Sequence, residues 1–445
     1  VIMLAGIFYG AMYGGSTTSI LLKIPGEAAS MVTCLDGYEM ARNGRAGPAL
    51  GMAAMASFIA ATLSILVMSA VAPALASFAL QFGPAEYASL VFLGLIMAVY
   101  LSDGSTVKGL LMIGAGVVLG TVGIDPVFGV ARFTFGLPRL SEGLDFVTAS
   151  MGLFGIAEVL SNLEARGARE VYKASSLRGL LPNREEWRRA WAAVLRGTGL
   201  GFFIGALPGG GAVISSFAAY AVEKRVSSQP ERFGRGAIEG VAAPESANNA
   251  ASTSSFIPLL TLGVPGNASI AMIFVALMIH GIQPGPLLLQ QHPGLFWGVI
   301  ASMYVGNLML LALNLPLIGV WVRLLRVPYP YLAAVVVIVC VVGAYSIHNA
   351  VFDVGLMLLF GIAGYVLRKG GFPVAPLVLA MILGKILEQS FLQALQISAG
   401  DPRIFIQKPI SAALLSVTAL IALTPALRWG WKQRRRPASL PTGGK

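Results

Sequence analysis

The chain has 445 residues, is 56% apolar and only 11% charged, and carries a mean hydropathy of +0.76 and a formal net charge of +11. Soluble domains hold about 25% charged residues, so this chain cannot present water-facing side chains over most of its surface. The composition excludes an ordinary soluble globular protein and points to one that resides in a bilayer.

The chain opens on an apolar stretch that runs into "YGGSTTSILLKIPGEAAS" (13–30). A glycine pair, the hydroxyls of Ser16, Thr17, Thr18 and Ser19, Lys23 and the break Pro25–Gly26 lie together there. Proline removes a backbone donor and clashes with the turn before it, so a helix is expected to stop. Backbone groups freed inside a membrane must bind protein, water, an ion or a substrate. The plainer reading is a helix whose hydroxyls bond back to its own carbonyls. Lys23 either snorkels to the interface or is a fixed positive charge facing an anionic substrate. "CLDGYEMARNGRAG" (34–47), with Asp36, Glu39, Arg42 and Arg45, is expected to form a loop at the membrane surface.

Apolar runs follow at 50–80, 86–101, 107–124 and 145–163, and again at 193–222, 256–280, 295–320, 331–345, 350–367, 372–390 and 409–427. A span needs roughly 20 apolar residues. Some runs are too long for one passage and others too short, so an all-α polytopic protein of about ten to twelve helices and re-entrant hairpins is predicted. Outer-membrane strands would alternate polar and apolar residues, and these runs do not.

Residues 164–196 hold eight basic side chains against four glutamates, and the tail beyond 427 holds six basic residues and no acid. Basic loops stay on the cytoplasmic side. That rule explains both patches without nucleic-acid binding. Trp429 and Trp431 suit a membrane-interface belt before the tail.

In the second half, "ALPGGGAVISSF" (206–217) carries Gly209, Gly210 and Gly211 between apolar flanks. It is read as the tip of a helical hairpin with exposed amides, the alternative being a flexible loop. "APESANNAASTSSF" (243–256) gathers Asn248, Asn249, Ser252, Thr253 and Ser254. It is either a solvated loop after the charged segment 223–236 or a polar site. Its length, and its place before a second break at Pro265, Gly266 and Asn267, favour the site. Asp353 stands alone in an apolar run and is expected to find a basic partner. Cys34 and Cys340 suggest no disulfide framework. His280, His292 and His348 lack metal-ligand spacing, and the sequence holds no HExxH, Walker loop or GxSxG. No cofactor is expected beyond a coupling Na⁺ or H⁺.

Two halves emerge around the basic connector. "IPGEA" (24–28) answers "VPGNA" (264–268), each after a Ser/Thr-rich piece and each followed by a Gly-Pro pair. Gly26 to Gly47 is 21 residues and Gly266 to Gly285 is 19. A second echo, "GIFYGAMYGG" (6–15) with "GFFIGALPGG" (201–210), does not share that register. It also reads as small-residue packing between membrane helices. The expected division is a first transmembrane repeat at 1–163, a basic cytoplasmic connector at 164–192, a second repeat at 193–408, and a C-terminal helix with a basic tail at 409–445. Repeats with Gly/Pro-broken helices in matching places point to a secondary transporter.

"YGGSTTSILLKIPGEAASMVTCLDGYEMARNGRAGPAL", "GALPGGGAVISSFAAYAVEKR" and "AIEGVAAPESANNAASTSSFIPLLTLGVPGNA" closely resemble the large membrane subunit of tripartite tricarboxylate transporters, the TctA type. The resemblance runs over nearly the whole chain. It implies a bacterial inner-membrane permease with two inverted repeats in an elevator-type arrangement. It also implies two partners, a small membrane subunit of about four spans and a periplasmic solute-binding protein. Uptake of a carboxylate would be driven by a cation gradient. Two features depart from the family pattern. A further segment with its own Pro-Gly tip usually precedes the first motif, so an N-terminal truncation is expected. Lys23 stands where Asn is common, which puts the coupling stoichiometry in question. A homodimer is compatible with this reading.

On that reading Asn248, Asn249 and the hydroxyls of 252–255 help line a midplane site for a carboxylate and its ion. Amide donors and half-helix N-termini suit the anion, and neutral oxygens suit a hard cation. The rivals are a transporter that needs no binding protein, a channel, and a membrane-embedded enzyme. The enzyme lacks support, because Asp36, Asp103, Asp125, Asp145, Asp353 and Asp401 show no pairing at helical spacing.

Overall fold

The computed structural model describes residues 1–23, 26–100, 105–125, 129–164, 179–207, 211–318 and 329–434. The described residues are helical almost throughout. Among the described residues the one β element is a two-residue antiparallel pair, Gly123–Ile124 with Ala131–Arg132. Six helices among the described residues are long and apolar enough to cross a membrane. They are α3 (Ala46–Ala79), α6 (Phe146–Glu164), α11 (Pro293–Asn314), α12 (Tyr329–His348), α13 (Val351–Lys369) and α14 (Val374–Ile397). The protein is therefore a multi-pass, all-helical membrane protein. At 1.5 Å per residue α3 reaches about 51 Å, well beyond the ~30 Å hydrocarbon layer.

The other helices of ten residues or more are α1 (Ile2–Leu22), α2 (Thr33–Arg42), α4 (Pro84–Tyr100), α5 (Thr106–Gly120), α7 (Arg184–Gly205), α8 (Ala212–Val226), α9 (Glu239–Ser254), α10 (Ala268–Ile279) and α15 (Pro409–Arg434). Their starts follow local capping chemistry. Asn183 and Glu186 form a capping box at α7, Asp145 caps α6 through the Thr148 amide, and Pro293 occupies the first turn of α11. Because α7 begins at Arg184, the last residues assigned to the basic connector are the first turns of this helix.

Two packed regions form. In one, α9 is enclosed by α3, α7 and α8, with α1 and α2 alongside. In the other, α5 and α4 pack on α14, and α13 packs on α6. Glycine allows the close contacts in both. A Cβ added at Gly116 would lie 2.3 Å from the Leu377 carbonyl, and one at Gly152 would lie 2.3 Å from that of Met357. Small residues at such places let membrane helices approach. Val335, Ile338, Val339 and Val342 of α12 are exposed at helical spacing, a face suited to lipid tails.

One sequence expectation is corrected, and one alternative is set aside. Residues 34–47 do not form a surface loop. Asp36 lies on α2 and is fully buried, and its carboxylate accepts the Gly234, Gly236 and Ala237 amides at 2.8–2.9 Å and the Tyr220 hydroxyl at 2.9 Å. Positive-φ glycines at 234 and 236 curl that segment so that successive N–H groups face one acceptor. Nor is 243–256 a solvated loop. Residues 240–254 are buried along the whole of α9.

Candidate functional site

The polar helix α9 is the centre of the candidate site. Its helical neighbour α7 carries a glycine stripe. Cβ atoms at Gly197, Gly201 and Gly205 would fall 2.4 Å from the Ala243 carbonyl, 2.3 Å from the Ala247 carbonyl and 2.4 Å from the Ala251 Cα. Residues four apart share a helix face, so the stripe seats α7 against the alanines of α9 with the two backbones nearly touching. The spacing of small residues seen in the sequence is thus a packing device.

The chain is broken at two places, and the first break meets α9. At the first, α1 ends with Lys23 in the left-handed conformation (φ 55°) and the chain turns through Gly26. Gly26 donates its amide to the Gly15 carbonyl (3.3 Å), and a Cβ there would sit 2.4 Å from the Gly15 Cα. Glu27 then caps a short turn at Ala28–Met31, its carboxylate accepting the Ala29 amide. At the second break, Gly263 is left-handed (φ 68°), Pro265 and Gly266 follow, and Asn267 caps α10 by accepting the Ile270 amide at 3.0 Å. Among the described residues the two breaks share their flanks. A left-handed residue stands two before proline, and a side-chain cap stands directly after glycine.

The contacts of α9 reach the first of these pieces. Asn248 donates to Glu27 Oε1 (3.1 Å) and to the Met12 carbonyl (3.3 Å), tying α9 to the first break. Ser216 of α8 donates to the Pro244 carbonyl at 3.2 Å, which holds the start of α8 beside the same stretch. At the second break Gly266 lies against Leu207, just past the end of α7. The first break and the α7–α8 hairpin thus converge on α9, while the second break lies against Leu207.

Of the residues singled out in the sequence, Ser16 donates to Glu245 (2.5 Å) and Ser19 to Ser30 (2.8 Å) and the Gly15 carbonyl (3.0 Å). Thr18 bonds back to the Gly15 carbonyl (3.0 Å), and Thr17 is buried. Lys23 is exposed, with its ammonium 5.2 Å over the Tyr38 ring. Asn249 donates to Ser57 (2.7 Å) and to the Glu245 carbonyl (3.1 Å). Ser252 and Ser254 bond back to their own helix, whereas Thr253 also accepts the Tyr9 hydroxyl. Gly211, at φ 115°, opens α8. Pro265 and Gly266 are buried. Pro25, Gly209 and Gly210 lie outside the described residues. Asp353, expected to find a basic partner, meets His348 Nδ1 at 3.0 Å.

The structure adds residues that sequence reasoning passed over: Glu27, Glu245, Tyr9, Thr33 and Ser57. Glu245 and Glu27 stand inside quoted motifs. An acidic residue in an apolar chain was the available signal, since such a group is costly unless it has partners. Thr33 and Ser57 had no signal, because they come from helices distant in sequence.

A buried polar helix and two Pro-Gly breaks in a helical membrane protein are features of membrane transport proteins. Residues 1–379 match the family described as the Tripartite tricarboxylate transporter TctA family, and the chain belongs to it as its large TctA-type membrane component. That membership implies a tripartite transporter with further subunits. An Agrobacterium vitis protein, described as an uncharacterized 52.8 kDa protein in the TAR-I ttuC' 3' region, is 50% identical over 431 residues, spanning 96% of this chain and 86% of the relative. A second A. vitis protein, from the TAR-II ttuC' 3' region, is 52% identical over 231 residues, 51% of this chain and 96% of the relative. No solved structure matches.

Proposed function

We propose that the chain is the permease subunit of a binding-protein-dependent secondary transporter that imports tricarboxylates or related carboxylates across the bacterial inner membrane on a Na⁺ or H⁺ gradient. The observation that carries this reading is a buried polar helix tied to the first of two similar Pro-Gly breaks, in a member of a transporter family. Broken helices leave amides that suit a carboxylate and carbonyls that suit a cation. The partners are a periplasmic solute-binding protein and a small four-span membrane subunit. The shared flanks of the breaks support two inverted repeats moving in an elevator-like cycle, with Asn248, Asn249, Gly26, Gly211, Gly266 and Asn267 near the substrate path.

The test is uptake of labelled carboxylates into proteoliposomes holding the chain and its small partner. Accumulation is expected only with the binding protein outside and an inward cation gradient. Accumulation with the binding protein omitted would replace this reading with a binding-protein-independent transporter. Downhill flux at channel rates would replace it altogether.

A further inference from the structure

Glu245 is 1% exposed, and among the described residues it forms no ion pair. Its carboxylate is held by hydroxyls from three other helices. Ser16 of α1 donates to Oε2 at 2.5 Å, Ser57 of α3 reaches the same oxygen at 3.4 Å, and Thr33 of α2 donates to Oε1. A buried carboxylate with only neutral partners leaves a negative charge uncompensated, and such a charge is strongly unfavourable in a low-dielectric interior.

The donor count sharpens the point. All three hydroxyl protons are spent on the carboxylate. The Asn249 amide hydrogens are spent on Ser57 Oγ and on the Glu245 main-chain carbonyl. Asn249 Oδ1, on a residue with 0% exposure that touches the cluster through Ser57, has no hydrogen-bond partner. The cluster thus has exhausted its donors and keeps lone pairs on Ser16, Thr33, Ser57, Asn249 and the carboxylate. A proton on Glu245 would remove the charge but leave Asn249 Oδ1 unsatisfied. A metal cation answers both. Oxygen-only ligands select a hard cation, and a single carboxylate matches a single positive charge better than the several found around Ca²⁺.

We propose that Glu245, Ser16, Thr33, Ser57 and Asn249 form a Na⁺ site, with Glu245 as its anionic ligand. The proposal rests on the cation-driven reading above and assigns the ion to particular residues. Ser16 lies one helical stretch before the first break, and Glu245 one turn before Asn248, which bonds Glu27 at that break. A cation here ties α1, α2, α3 and α9 together beside the break.

The test uses the full chain in lipid nanodiscs, with thermal unfolding followed as NaCl replaces KCl or choline chloride at constant ionic strength. A ligand that binds only the folded state raises the midpoint by mass action. A saturable rise with Na⁺ and none with K⁺ is expected. Glu245→Gln should abolish the Na⁺-dependent rise. Ser16→Ala, which keeps the charge and removes one oxygen, should raise the half-saturating Na⁺ concentration at least tenfold, and it decides the matter if the Gln variant does not fold. An unchanged Na⁺ response in both variants, or a wild-type midpoint that follows pH and ignores Na⁺, overturns the site. Because this readout is binding, it separates from the transport reading. Gradient-driven uptake without Na⁺ stabilisation defeats only the site, and Na⁺ stabilisation without gradient-driven uptake defeats only the function.

Discussion

The Asp36 carboxylate offers the sharpest stability prediction. It is fully buried and accepts three main-chain amides and the Tyr220 hydroxyl, so it fastens α2 to the segment that leads into α9. Asp36→Ala leaves four donors facing a hollow. A hydrogen bond to a charged group contributes about 1.5–3 kcal/mol, but the glycine-rich segment relaxes and regains water, so the four do not add. Buried donors left unsatisfied cost about 1–3 kcal/mol each, and with this partial relaxation the expected loss is about 3–5 kcal/mol. At about 2.1 cal/mol/K of unfolding entropy per residue, a chain of 445 residues loses roughly 1 °C of Tm per kcal/mol, so the expected fall is about 3–5 °C. Asp36→Asn, which keeps an acceptor for the amides, should lose about half as much. A second route to the same clamp is Gly240→Ala, because its Cβ would stand 2.2 Å from Asp36 Oδ2. Alanine favours an ordinary helix by about 1 kcal/mol over glycine, so a destabilised Gly240→Ala variant identifies the clash. The assay is thermal unfolding of purified protein in nanodiscs. Midpoints within 2 °C of wild type, to order of magnitude, for both Asp36→Ala and Gly240→Ala would refute the clamp.

Gly201→Val should destabilise by about 1–3 kcal/mol or more through overpacking, because its Cβ would lie 2.3 Å from the Ala247 carbonyl, whereas Gly199→Ala, with nothing within 4 Å, should be neutral; equal midpoints for the two would contradict the stripe. Asn248→Ala removes the donor shared by Glu27 and the Met12 carbonyl, and uptake at low substrate should fall by the equivalent of about 1–3 kcal/mol while membrane expression holds. Full uptake would make that contact purely structural. Lys23→Asn keeps a residue type that accepts the left-handed backbone and removes the charge over Tyr38. Initial uptake should then depend more steeply on sodium, and superimposable curves would exclude Lys23 from coupling. A cysteine in place of the exposed Glu185, at the start of α7, should react with an impermeant maleimide only from the cytoplasmic side, and labelling from outside would reverse the topology.

Much of this protein was decided locally, and the sequence alone expressed it. Hydropathy determined that the chain is a helical membrane protein, because every backbone group in lipid must be paired within its own segment. The Pro-Gly breaks at 25–26 and 265–266 were legible for the same reason, since proline cannot continue the hydrogen-bond ladder. Motif likeness led to the family. Long-range packing decided the rest. Nothing in "CLDGYEMARNGRAG" says that Asp36 is buried, because its partners are amides some 200 residues later whose orientation depends on two left-handed glycines. The polar residues of 243–256 were visible, but their enclosure was not. A solvated loop and a buried helix have the same composition here, and only the packing of α3, α7 and α8 around α9, with the glycine stripe of α7 pressed to within contact of Ala243, Ala247 and Ala251, removes water from them. Glu245 shows the limit most plainly. Its surroundings come from Ser16, Thr33 and Ser57 on three separate helices, and the pairing of side chains across helices is a property of tertiary contact that no one-dimensional pattern carries.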